Sequence, residues 1–416
     1  MEASAHGGPP LLRQINSAHV VAALRGAGPL SLSDLAARTG LSRPTVGQVV
    51  DQLHAGGLLA WVDPGQLAQD GLPRSGRPAR LVRFRAEAAY VVGIDIGRHK
   101  ALVTVADLAG VVVARHREDA SGARSSADLL AALRTAARGA LAGAGIRRTD
   151  VASVAAGTPG LVDWPRGAVM LAPGLPGWKI ELARELRRSF RCPVQVENDA
   201  NLAALAERRH GLARDAHTLV FIYWGERVGA GVLIGDQLHR GAANAAGEIG
   251  FLALDPDTSA APDRFGRGPF ERMVGAEAIV EVGRLAAARH GGALASLGPD
   301  GMDPRGAEAV FAAAAQGDAA AVEAVHTIAA RFARGLAPLL LVLDPDLVVI
   351  GAGVSQAGSA LLSAIEASVR PLTLVPPRLE LSRLGDEAVA LGAVELALAD
   401  AEARLLPAPS LPGTGG

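Results

Sequence analysis

The chain contains one cysteine in 416 residues, Cys192, and two lysines, Lys100 and Lys179. A single thiol excludes an intramolecular disulfide framework and any zinc site built on a cysteine cluster. Charge of one sign is also lacking, since 41 Lys and Arg stand against 42 Asp and Glu. Any nucleic-acid binding must therefore come from a local basic patch rather than from the overall field. Long apolar runs are missing as well: Leu339–Leu343 and Leu347–Ile350 are bounded by Asp and Pro and fall far short of a membrane span. Met1–Pro10 has neither the basic start nor the apolar core of a signal peptide, so a cytoplasmic protein without a membrane partner is expected. No period of 20–50 residues is visible, which argues against solenoids and propellers.

Hydrophobic residues make up 49% of the chain, enough for sizeable cores, and the length calls for two or three compact units. Composition divides the chain near residue 88. Five of the arginines before that point crowd into Arg74–Arg85, and Asp63–Pro78 is rich in Gly, Pro and polar residues. After Tyr90 the pattern becomes short apolar strands alternating with Ala/Leu-rich helices, which is α/β logic. Strands are expected at Tyr90–Ile96, Ala101–Asp107, Val111–Arg115, Val151–Ala156, Val194–Val196, Thr218–Tyr223 and Leu347–Ile350, with turns at Gly97 and Gly110. A helix is expected over Asp128–Gly143, and Pro338 with Asp344-Pro345 brackets a buried helix end.

The N-terminal part reads as a winged helix-turn-helix. Ser31 caps the second helix, Asp34 completes a capping box, and Gly40 ends it. Ser42 caps the third helix, and Pro44 falls in its first turn, where a missing N–H costs little. Val46, Val49, Val50 and Leu53 recur at helical spacing and form a buried stripe. That leaves Ser42, Arg43, Thr45 and Gln48 at the end of the helix that meets base edges. Leu58–Val62 and Ala79–Arg85 read as wing strands, and Arg74 and Arg77 in the loop between them suit phosphate or minor-groove contacts. The bland alternatives are a three-helix bundle and a solvated linker.

The remainder carries several motifs in order: Asp95-Ile96-Gly97-Arg98-His99-Lys100; Gly157-Thr158-Pro159-Gly160; Glu197-Asn198-Asp199-Ala200-Asn201; Gly229-Ala230-Gly231; Arg240-Gly241-Ala242; Ala246-Gly247-Glu248-Ile249-Gly250; and a strand with a Gly turn at Leu347–Ser355. On these segments the chain resembles the ROK family of repressors and sugar kinases, over residues 15–400, and most closely its repressor branch. The resemblance implies an α/β, actin-like, ribonuclease-H-like body of two lobes with a sugar cleft between them, preceded by the winged helix-turn-helix, and a dimer or tetramer. The expected division is 1–87 for the DNA-binding unit, 88–405 for the body and 406–416 for a flexible tail. Carried over by position, Gly157, Gly160, Asn198, Asp199, Glu248 and Glu271 would form the sugar site. Asp199 would be the base that takes the proton from the sugar hydroxyl in a kinase. For Asn198-Asp199 the bland alternative is a strand-end turn or helix cap.

Departures from the family's pattern favour a regulator over an enzyme. The first phosphate turn keeps Asp95, Gly97 and Lys100 but has Arg98 and His99 where the kinases have Gly and Thr. The second keeps Gly225, Gly229 and Gly231 but carries Glu226 and Arg227. Bulky side chains block the backbone N–H groups that cradle phosphate, and a carboxylate 4 Å from a phosphate charge costs roughly 4 kcal/mol at an effective dielectric of 20. The zinc signature is gone too: Phe251 holds the histidine position, and Arg264–Glu271 contains no cysteine. Neither a metal nor ATP is expected. The expected partners are operator DNA and a sugar or sugar-phosphate effector. An active ATP-dependent sugar kinase fused to a DNA-binding unit, and a regulator that has lost its sugar, are the alternatives.

Overall fold

The computed structural model describes residues 9–62, 80–175, 177–255, 260–263, 265–292, 294 and 304–406. It opens with α1 (Pro9–Ala27), β1 (Leu30–Ser31), α2 (Leu32–Thr39), α3 (Arg43–Ala55), β2 (Leu59–Val62) and β3 (Leu81–Phe84). The caps form as expected. Ser31 and Asp34 make a reciprocal capping box, Gly40 closes α2 at φ 69°, and Ser42 Oγ accepts from the N–H of Thr45. Val46, Val49, Val50 and Leu53 are buried. The wing gains a strand that propensity did not reveal, because β1 is two residues long and pairs with β3, giving the order β1-β3-β2.

Two five-stranded sheets follow. The first contains β4 (Tyr90–Ile96), β5 (Lys100–Asp107), β6 (Val112–Asp119), β7 (Val151–Thr158) and β10 (Val194–Asn198), in the order β10-β7-β4-β5-β6. Between them come α4 (Ser126–Ala144), the small hairpin β8 (Leu161–Asp163) and β9 (Ala168–Leu171), and α5 (Leu182–Phe190). The second sheet contains β11 (Thr218–Trp224), β12 (Val228–Ile234), β13 (Gln237–Leu238), β14 (Leu347–Gly351) and β15 (Leu379–Leu381), in the order β13-β12-β11-β14-β15. In each sheet an antiparallel meander of three strands is extended by two parallel strands on the side of its first strand. The body is therefore one topology used twice, which a search for short sequence periods does not detect.

Helices α6 (Asp199–Arg209) and α12 (Ala388–Leu405) lie between the sheets: α12 packs on α6, β4 and β7, and α6 packs on β11 and β12. The approach is close. A Cβ at Gly392 of α12 would fall on the carbonyl of Leu202 in α6, and one at Gly93 of β4 would fall on that of Ala390. The outer face of the second sheet is covered by α7 (Pro269–Val274), α8 (Ala276–His290), α9 (Pro304–Ala315), α10 (Ala319–Leu343) and α11 (Gly358–Val369). By length and composition α10 is long and apolar enough to cross a membrane, but half of that stretch is buried in this core. The helix runs through Pro338 and ends at Asp344 in the left-handed conformation.

Candidate functional site

An inner chamber of about 130 Å³ opens between the lobes. Five of the six expected sugar residues line it, four of them polar and from three places in the chain: Asn198 and Asp199 at the β10–α6 junction, Glu248 after β13, and Glu271 in α7. Gly160 lines it too, at φ 96°, where a Cβ would meet the carbonyl of Leu171. Gly157 does not. It lies under the chamber, and a Cβ there would strike Val389 of α12, so its lack of a side chain serves helix packing rather than ligand approach.

Asn198 proves to be a helix cap that also faces the chamber. Its Oδ1 accepts from the N–H groups of Ala200 (2.9 Å) and Asn201 (3.3 Å), and its Nδ2 donates to Gly160 O (3.1 Å). Glu271 is similarly committed. Oε1 accepts from Val228 N (2.9 Å), while Oε2 accepts from Gly268 N (3.0 Å) and an Arg227 N–H (3.1 Å). Asp199 has one oxygen on the N–H of Ala200 (2.9 Å). Burial, then the charges of Asp95 and Glu248, push its carboxyl up to about 7. Glu248 is raised by burial and by Glu271, with Arg227 opposing. The chamber thus gathers carboxyls that hold protons more readily than in water and that accept hydrogen bonds from hydroxyls when ionised.

The first phosphate turn keeps its ion pair, with Lys100 Nζ 2.8 Å from Asp95 Oδ2. The ammonium is also tied to Asp386 O at 2.7 Å, and Asp386 in turn accepts from Arg117 at 2.7 Å. Burial raises Asp95 and Lys100 pulls it back. Gly97 closes the turn by donating its N–H to Lys100 O. In the second turn Gly229 lines the inner chamber, Gly225 lies against Ala352 and Gly353, and Gly231 packs on the carbonyl of Ala200 instead of facing any cavity. One departure from each turn meets the other: His99 Nε2 lies 2.9 Å from Glu226 Oε1, bridging one turn to the other. Beyond that bridge lies an outer chamber of about 470 Å³, which shares Arg98, Pro173, Gly174, Leu175, Glu226 and Arg227 with the inner one.

On the DNA-reading module, Arg43 and Gln48 are exposed on α3, while Thr45 is half-buried and bonds Ser42 Oγ at 2.8 Å. Arg74 and Arg77 lie outside the described residues. The other wing arginines are structurally occupied: Arg80 sits over the Trp61 ring at 4.5 Å, Arg83 pairs with Glu87, and Arg85 donates to Gly57 O.

Sequence reasoning did not find Tyr223, Asn244 or the 173–175 turn, all of which line the inner chamber. Tyr223 lies near the end of an apolar strand and carries no local signal; its hydroxyl is held well above the usual range by burial and by Asp199 and Asp95. It also missed a tie beneath the site, where Arg240 Nε reaches 2.6 Å to buried Glu197, which accepts from Asn201 Nδ2 as well.

A winged helix-turn-helix set in front of a twice-built α/β body, with a carboxylate chamber between the lobes, defines a class: DNA-reading proteins on a sugar-kinase scaffold. The chain belongs to the ROK family, whose pattern matches residues 91–400, and residues 13–65 match the MarR family. It is 24% identical over 399 residues to the xylose repressor of Caldicellulosiruptor bescii, spanning 95% of this chain and 98% of that one. A solved ROK family transcriptional regulator, a homolog of the Escherichia coli MLC protein, aligns over 95% of this chain and 99% of its own with a TM-score of 0.76 and 24% identity. A ROK family glucokinase from Streptomyces griseus, solved with glucose and AMPPNP, covers 74% of this chain and 99% of its own, with a TM-score of 0.63 and 28% identity.

Proposed function

We propose that this protein is a sugar-responsive transcriptional repressor that binds operator DNA as a dimer in the cytoplasm and takes a monosaccharide or its phosphate between the lobes, without transferring phosphate. The observation that carries the reading is the physical continuity between the two units. One buried cluster runs from Val20, Val46 and Leu53 of the DNA module to Val389, Ala397 and Ala401 of α12, and Arg25 of α1 pairs with Glu402 near the end of that helix. The other end of α12 follows Asp386, the partner of Lys100 in the first phosphate turn. Closing the lobes on a ligand would therefore bias the seating of the DNA module, as a two-state element shared by both sites.

Against catalysis stand the side chains of Glu226 and Arg227 in the second phosphate turn and the His99–Glu226 bridge that ties the two degenerate turns together. Binding to the protein's own upstream region should exceed binding to unrelated DNA, weaken steeply with salt, and change with sugar. No preference for that region, with or without a panel of sugars, would refute the reading. The enzyme alternative draws on the burial of Asp199 beside Asp95 and Glu248, which pushes its carboxyl up to about 7, the range for general-base work near neutrality. Sugar-dependent ADP formation that disappears in Asp199→Ala would establish it.

A further inference from the structure

Residues 260–263 and 265–271, the roof, border the outer chamber through Phe265 and Arg267, and their placement there needs a cause. The family resemblance implies a zinc site here in members that carry the histidine and cysteine signature, but the residues of this chain do not fit one. Phe251 and an all-non-cysteine stretch replace the donors, and among the described residues no group of three or more His, Cys, Asp and Glu side chains converges on a metal position. The segment instead holds itself together by charge. Asp263 Oδ1 accepts from the N–H groups of Phe265 (2.8 Å) and Arg267 (2.9 Å), Asp263 Oδ2 accepts from Arg267 Nε (2.8 Å), and Arg267 continues to Glu277 on α8.

One side chain from the β11–β12 turn reaches from the cleft into this roof. Arg227 donates to Gly266 O (2.8 Å), to Phe265 O (2.9 Å) and to Glu271 Oε2 (3.1 Å). Its other side rests on Gly174 of the opposite lobe, where a Cβ would stand 3.2 Å from the guanidinium. Gly266, at φ 71°, lies so close to Pro173 that a Cβ would collide with it. The 173–174 turn, the Arg227 guanidinium and the 265–266 turn thus form a stack across the cleft, and Arg227 walls the inner chamber from the outer. A planar group with several fixed N–H donors can serve two carbonyls and a carboxylate at once, which a lysine ammonium on a flexible stem does less well.

We propose that Arg227 is the positioning residue of the inner chamber, a covalently attached cation that anchors the 260–271 roof in place of a bound metal. The replacement that spoils the second phosphate turn and the loss of the metal site are then one change, since the arginine that removes the phosphate cradle supplies the anchor. This holds whether the protein represses or phosphorylates, and its test uses neither DNA nor sugar.

The measurement is hydrogen exchange of the full chain, followed in peptides spanning 260–271, with peptides from β4 and β14 as internal references. Arg227→Gly should raise exchange of the roof about tenfold or more while the references stay put, as expected for a local opening. Arg227→Lys should fall between, and low-millimolar guanidinium ion should restore protection to Arg227→Gly alone. Treating the parent protein with a chelator should change nothing. Should Arg227→Gly unfold globally, Gly174→Val displaces the guanidinium from the other side and must loosen the same peptides. Unchanged roof exchange in the variants, or a parent protein loosened by the chelator as much as Arg227→Gly, overturns the proposal.

Discussion

Replacing Asp199 by Asn should stabilise the protein, and increasingly so as the pH rises. In the unfolded chain this carboxyl titrates at about 3.8, and in the folded protein at about 7. Well below pH 3.8 both states hold the proton and the residue is neutral to stability. Between these values the folded state keeps a proton that the unfolded state has released, and the cost of folding grows by 1.36 kcal/mol per pH unit. Above pH 7 the folded state must carry the buried charge, and the full cost is about 4 kcal/mol. Because the carboxyl opens onto the chamber, solvent reduces this to about 2–4 kcal/mol. Asn keeps the oxygen that accepts from Ala200 N, so the substitution removes charge and little else. The assay is paired unfolding of parent and Asp199→Asn at pH 5 and pH 8.5. The variant's advantage should widen by about 2 kcal/mol between them. An advantage that is constant, or that shrinks toward high pH, would refute the picture of a crowded, desolvated carboxyl. The same sign governs ligand: a hydroxyl that donates to ionised Asp199 should bind more tightly as pH rises through 7.

Gly392→Ala offers a contrast in sign. In an exposed helix interior the change gains about 1 kcal/mol, but here the new methyl falls on the Leu202 carbonyl, so thermal unfolding should show a loss of about 1–3 kcal/mol or more. Arg43→Ala and Gln48→Ala, both exposed on α3, should leave the melting temperature nearly unchanged while weakening operator binding by about 1–3 kcal/mol wherever they meet a base edge, measured by fluorescence anisotropy.

Local signals were readable where they sufficed. The strands at Tyr90–Ile96, Val151–Ala156 and Thr218–Tyr223 form with at most two added residues, because runs of apolar residues ended by Gly or polar residues leave few alternatives. The caps of α2 and α3 formed because each needs only residues three apart. What escaped were contacts between distant segments that no motif carries. Gly157 reads the same whether it admits a ligand or a helix, and only the packing of α12 decides it. Asn198 reads both as a sugar ligand and as a helix cap, and the cap forms; only the bond from its amide to Gly160 joins segments too far apart to be legible. Glu226 and Arg227 stood out as misfits in a glycine-rich turn; that one reaches His99 and the other Gly266 follows from sheet order, not from spacing.

The geometry of α12 sets a scale for any message between the two ends of the molecule. Its 18 residues span about 27 Å. Gripped by glycine contacts at Gly93 and Gly392, it has little room to bend or slide along its axis and so acts as a stiff lever. A tilt of about 5° about its grip near Ala390 would move the Glu402 end by roughly 2 Å, enough to break the pairing with Arg25. A small rotation at the chamber, below what a change in overall shape would reveal, would thus be felt at the Arg25–Glu402 contact beside the DNA module.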